Sequence, residues 1–185
     1  MSELLSALIG AALISNLLLN LPLAADTLRG ARVQALGPTT ALLIALACPL
    51  AWLVEHGLLQ PLALQHLQLF AFLPLVSLLA WLSLRLLARL RPALPVQGLW
   101  PLLLINGAGL GSMLLILPLA SVAMALAVGI GAGLGFWLAL QLFADLLERI
   151  DRCDVPAPFK GMPISLISAG LMGLAFLGFN GLGGA

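Results

Sequence analysis

Apolar residues fill this chain in long blocks, and polar ones gather in short gaps between them. Six apolar runs can be marked, at about 4–25, 37–59, 64–87, 99–119, 122–147 and 164–182. Each is close to the roughly 20 residues that a helix needs to cross a hydrocarbon core of about 30 Å. The runs are apolar on every face, whereas a membrane strand would alternate lumen-facing polar and lipid-facing apolar positions. The pattern therefore predicts six transmembrane helices. Pro49 and Pro74 fall inside the second and third runs, where a missing backbone donor is expected to kink or break the helix.

Composition agrees and excludes the alternatives. The chain has 185 residues, 62% hydrophobic and only 8% charged, with a mean hydropathy of +1.16. Soluble domains carry about a quarter of their residues as charges. Eight basic and seven acidic residues cannot coat a water-facing surface of this mass. A soluble enzyme, a nucleic-acid binder and a disulfide scaffold are ruled out, and the expected class is an all-α integral membrane protein in a lipid bilayer. A net charge of +1 points to no polyanionic partner such as nucleic acid. The start, Met1-Ser2-Glu3-Leu4, lacks the basic residues of a secretory signal, so the first run is expected to stay as a span. Cys48 lies in an apolar run and Cys153 in a charged connection, which argues against a disulfide between them.

The basic residues set the expected orientation. Arg29 and Arg32 separate the first two spans, Arg85, Arg89 and Arg91 the third and fourth, and Arg149, Arg152 and Lys160 the fifth and sixth. The other two connections and both termini contain none. The positive-inside rule then places the odd-numbered connections in the cytoplasm, giving N-out/C-out topology. Arg91-Pro92-Ala93-Leu94-Pro95 divides a single membrane domain, 1–185, into halves of three spans, 1–91 and 92–185. The second half must enter from the opposite side, which is the plan of a 3+3 inverted repeat. Asn16 in span one and Asn106 in span four, ninety residues apart, are a faint internal echo of it.

Asn16 and Asn106 are the intramembrane polar groups of most interest, because an amide in hydrocarbon needs partners. Two roles fit them: hydrogen bonds between helices, or a polar strip at the pseudo-two-fold axis beside an ion path or cofactor. Asn20 lies one turn after Asn16 and lengthens that strip. Asp26 belongs at the cytoplasmic edge of span one. Span four reads Asn106-Gly107-Ala108-Gly109-Leu110-Gly111-Ser112, and span five Gly129-Ile130-Gly131-Ala132-Gly133-Leu134-Gly135. Neither is a dinucleotide-binding fingerprint in a strand–helix context. Gly107/Gly111, Gly129/Gly133 and Gly131/Gly135 have the spacing that lets helix backbones touch, and span four could also break at its glycines. His56 and His66, near Glu55 in an outer connection, make a poor metal site, and no metal is expected. Asp145, Glu148, Arg149, Asp151, Arg152 and Asp154 read as a solvated helix end. No catalytic constellation can be assembled.

The C-terminal part carries a resemblance. Asp154-Val155-Pro156-Ala157-Pro158-Phe159-Lys160-Gly161, followed by the span holding Ala169-Gly170-Leu171-Met172, closely resembles the end of the A-type membrane subunits of the Rnf (Rsx) ion-translocating electron-transport complexes, in the Rnf/Nqr membrane-subunit family. Ser15-Asn16, Ala51-Trp52-Leu53, Pro101-Leu102-Leu103 and Asn106 extend it over the chain. The resemblance implies a multi-pass component of the bacterial cell inner membrane, in a translocase that couples electron flow between ferredoxin and NAD(H) to sodium or proton movement. It implies other Rnf-type subunits as partners, among them a homologous membrane subunit of opposite topology, with flavins and iron–sulfur clusters on further subunits. In the family one cysteine follows the span-one asparagine by about ten residues and another directly follows the span-four asparagine, and both help hold a 2Fe–2S cluster at the midplane. Here these positions fall at Asp26 or Leu21, and at Gly107. The expectation is therefore a divergent member with no cluster or other cofactor bound by this chain. A stand-alone membrane transporter and a purely structural membrane subunit are the alternatives. Pro156, Pro158, Phe159 and Lys160 read as a stiff turn into span six or as a surface for docking a cytoplasmic subunit.

Overall fold

A computed structural model describes residues 31–91, 98–105 and 107–178. Span one, with Asn16, Asn20, Leu21 and Asp26, lies outside the described residues, as does Asn106. Helices make up the regular structure, and no strand occurs among the described residues.

The first helix, α1 (Ala31–Val54), passes into a π-helical turn at Glu55–Leu59. In that turn the Gln60 amide donates to the Glu55 carbonyl at 2.8 Å, five residues back. A 3-10 turn at Gln65–Leu67 leads into α2 (Gln68–Leu90). Next come α3 (Leu99–Ile105), α4 (Ala108–Leu115) and α5 (Val122–Asp151), then a 3-10 turn at Ala157–Phe159 and α6 (Met162–Leu177). Among the described residues, three helical stretches are long and apolar enough to cross a membrane: Ala35–Leu59, Gln65–Leu90 and Val122–Asp151. They coincide with expected spans two, three and five. Span four is two helices instead of one, and the described part of span six is a 16-residue helix.

No break occurs at the prolines. Pro38 and Pro49 both lie inside α1, and Pro74 inside α2. Each proline removes one backbone donor, but in hydrocarbon the remaining amides find no better partner than their own helix, so the ladder resumes on either side. The buried hydroxyls obey the same constraint. Those of Thr39 and Thr40 donate to the carbonyls of Ala35 and Leu36, Ser83 to Ala80 at 2.9 Å, and Ser168 to Ile164 at 2.7 Å. Each is thereby satisfied within its own helix.

α1 is the hub, packed along its length on α5 and flanked by α2 and α4. Leu43, Ile44, Ala47, Cys48 and Ala51 of α1 are buried together with Ala132, Phe136, Ala139 and Leu140 of α5. The outer faces stay apolar. Phe70, Leu78 and Leu90 of α2 are more than half exposed, as are Leu171 and Leu174 of α6. A continuous belt of this kind fits lipid or a neighbouring protein, not water. At 30 residues α5 is about 45 Å long, which exceeds the roughly 30 Å hydrocarbon core, and its surplus carries the charges. There Arg152 pairs with Glu148 at 2.6 Å on the exposed end.

Candidate functional site

Among the described residues the most extensive helix contact is that between α1 and α5, and small residues form its seam. A Cβ on Gly133 would lie 2.6 Å from the Ala41 carbonyl oxygen, and one on Gly129 2.8 Å from Cys48 Cβ. A Cβ on Gly37 would meet Trp137 Cδ1 at 2.5 Å. Positions rise along α1 (Gly37, Ala41, Cys48) as they fall along α5 (Trp137, Gly133, Gly129), so the two helices run antiparallel. The small-residue spacing of span five is thus the close packing expected of it, and α1 supplies the matching stripe.

Beside the seam, the span-four segment is interrupted. α3 ends at Ile105 and α4 starts at Ala108. Gly107 caps α4 in the left-handed region, at φ +61° and ψ −13°. An L side chain is strained there, and glycine is not. The Gly107 carbonyl accepts the Gly111 amide at 2.8 Å, which starts the new helix. Two residues on, Gly109 is buried, and a Cβ there would run into the side chains of Leu43 and Val76. The Ser112 hydroxyl donates to the Gly109 carbonyl at 2.7 Å, and the Cys48 thiol approaches the Ser112 carbonyl at 3.9 Å. The start of α4, just after the break, is therefore pressed onto α1 and α2.

Gly107 is the one family cluster position among the described residues, and glycine has no side-chain donor atom. Cys48 is buried in the α1 face, and Cys153 is exposed beyond α5 with its thiol on the Arg149 carbonyl at 3.4 Å. These two thiols do not meet at Gly107, so the described residues do not fit a thiolate-held cluster there.

The far end of α1 holds what sequence reasoning missed. The Trp52 indole donates to the Leu119 carbonyl at 2.9 Å and ties α1 to the turn between α4 and α5. His56, one turn on, stacks against the Trp52 ring with centroids 4.0 Å apart and planes 12° apart. Its Nδ1 lies 3.1 Å from the Trp52 carbonyl oxygen. His66 is exposed on the following 3-10 turn. Glu55 is only 5% exposed. The i, i+4 spacing of Trp52 and His56 could have signalled the stack, but nothing in the pattern signals the burial of Glu55.

The segment between α5 and α6 is an exposed strap. Pro156 opens the 3-10 turn at Ala157–Phe159, and the Phe159 amide donates to the Pro156 carbonyl at 2.9 Å. Lys160 is extended, and Gly161 turns the chain into α6 at φ +89°. Pro156, Pro158, Phe159 and Lys160 are all exposed, Phe159 by half. The stiff turn is present, and its apolar ring and charge are left uncovered.

Apolar helices of membrane length, apolar outer faces and a seam of touching backbones define a multi-pass α-helical membrane protein. The family model for the Rnf-Nqr subunit, a membrane protein, matches residues 8–183. The chain belongs to that family. It is 37% identical over 190 residues to the A subunit of the ion-translocating oxidoreductase complex of Vibrio cholerae, covering 98% of each chain. Proteins of the same name from Erwinia tasmaniensis, 37% identical, and Pseudoalteromonas atlantica, 38% identical, are likewise matched over 98% of both chains.

Proposed function

We propose that this chain is a membrane subunit of an Rnf-type complex that couples electron transfer between ferredoxin and NAD(H) to ion translocation, and that it works without an iron–sulfur cluster of its own. The observation that carries membership is its end-to-end likeness to relatives named as the A subunits of ion-translocating oxidoreductase complexes. Gly107 carries the second half of the reading, since it offers no ligand where the family resemblance calls for a thiolate.

On this reading the chain has six spans in two inverted halves, N-out/C-out, in a bacterial inner membrane. α1 and α5 are then the middle spans of the two halves, and their antiparallel seam is what a pseudo-two-fold axis between them requires. Asn16, Asn20 and Asn106 line the midplane as polar candidates of the ion path. The partners are the other members of the complex, including a homologous membrane subunit of opposite topology. Pro156, Pro158, Phe159 and Lys160 form the surface on which a cytoplasmic subunit docks.

The test is to purify the tagged chain with its genomic neighbours and measure iron and the reduced electron paramagnetic resonance spectrum. Recovery of flavin-bearing and iron–sulfur subunits, with no cluster assigned to this chain, is the expected result. A stoichiometric cluster ligated by it would overturn the cluster-free reading. Failure to recover any partner would point instead to a stand-alone transporter.

A further inference from the structure

Two buried side-chain polar atoms lack a hydrogen-bond partner among the described residues, Trp137 Nε1 and Glu55 Oε2. They differ in consequence. An unpaired indole N–H forfeits the hydration of one neutral donor. An ionised carboxylate in low dielectric is far less tolerable, and it takes up a counter-cation or a proton.

Among the described residues Glu55 has no basic partner, the residue is only 5% exposed, and its Oε2 is closed off from solvent. The described charged and titratable groups on the elements packed around it are few. Arg32 is at the opposite end of α1, about 35 Å away along the helix. Cys48 lies two turns back in the seam. His56, beside Glu55, is stacked on Trp52, and His66 is exposed on the next turn. The turn joining α4 to α5, which Trp52 holds against α1, contributes only apolar and hydroxyl side chains. Glu55 also opens the π-helical turn at the end of a span. Such turns are rare inside helices and concentrate at functional sites.

We infer that the Glu55 carboxylate is a monovalent-cation site, taking up a proton or a sodium ion at the end of α1. When sodium replaces the proton, the O–H bond breaks, the proton leaves to water, and the ion takes its place at the same carboxylate. The physiological role of the site rests on the reading of this chain as part of an ion-translocating complex; the binding itself does not.

Two measurements separate those levels. Membrane vesicles holding the full complex are treated with dicyclohexylcarbodiimide, which modifies protonated carboxyls in apolar surroundings, and the modified residues are mapped by mass spectrometry. Glu55 is expected to be modified in preference to the exposed Asp145, Glu148 and Asp154. Suppression by sodium but not by choline identifies a sodium site. Insensitivity to sodium identifies a proton site, and either result supports the inference. Modification of Glu55 no faster than of the exposed acids overturns it, and no variant has to fold for this result. In the second measurement, Glu55→Gln is expected to keep electron transfer and lose the coupled ion movement. Ion movement at the wild-type rate in that variant overturns the role of Glu55. A wild-type complex that transfers no electrons would instead sink the reading as an Rnf-type component and leave the labelling result standing.

Discussion

Gly133→Ala places a methyl group against backbone, where nothing can rotate aside. The new Cβ would lie 2.6 Å from the Ala41 carbonyl oxygen and 3.3 Å from its Cα. Carbon–oxygen contacts at helix interfaces settle near 3.3–3.6 Å, so α1 and α5 must part by roughly 0.7–1.0 Å. That separation also loosens the contacts at Gly129 and Gly37 along the same seam. Overpacking a tight core costs about 1–3 kcal/mol, and an obstacle made of backbone belongs in the upper half of that range. Alanine returns up to about 1 kcal/mol of helix propensity, leaving a net loss of about 1–2 kcal/mol. Gly170 is the matched control, a helical glycine in α6 with nothing within 4 Å of the added carbon. Gly170→Ala should therefore gain about 0.5–1 kcal/mol and shift stability the other way. The assay is graded sodium dodecyl sulfate denaturation of the purified chain in mild detergent, followed by circular dichroism. Equal midpoints for the two variants would refute the claim that a backbone seam joins α1 to α5.

Other consequences can be measured alongside. Gly107→Ala forces an L residue to φ +61°, so it should destabilise the chain by about 1–2 kcal/mol in the same titration, and Gly107→Asn by less. Trp52→Phe keeps a ring against His56 but removes the donor to the Leu119 carbonyl. It should cost about 1 kcal/mol and speed hydrogen exchange in 116–121; unchanged exchange there would show that the bond does not hold the turn. Phe159→Ala with Lys160→Ala should leave stability within about 0.5 kcal/mol, because both side chains are exposed. The same pair should reduce recovery of cytoplasmic subunits, and normal co-purification would leave the strap as a turn only.

Long-range architecture is the part that the amino-acid pattern conveys. Spans two, three and five stand where the apolar runs put them, because burial in lipid demands a long uninterrupted stretch and little else. The glycines at 129 and 133 announce a close contact but not its partner. Only packing reveals that Ala41 and Cys48 of α1 lie opposite, since small residues at four-residue spacing are common in any membrane helix. The prolines mislead in part. Pro49 and Pro74 look like breaks to a reader of local rules, yet the helices run through them. The real interruption comes at Gly107, where the backbone needs a left-handed residue. Asn16, Asn20, Asp26, Leu21 and Asn106 fall outside the described residues, so the polar strip rests on sequence alone. Glu55 gives no signal of its own, because a lone acid near a span end normally reaches water. It is buried at the start of a π turn, and local sequence encodes neither the turn nor the burial.

The α1–α5 seam also bears on leakage. At Gly133 and Gly129 a methyl group only one bond out from α5 already meets α1, so a water molecule held at nonbonded distance from both helices has no room there. At those points the two helices are sealed against each other, which leaves no room between them for a file of water, a hydrated ion or a relayed proton. A protein that moves ions against a gradient needs such a gasket as much as it needs a pathway. Any conducting route must then skirt α1 on its remaining sides, and widening the seam would be expected to dissipate the gradient even with every ion-binding group in place.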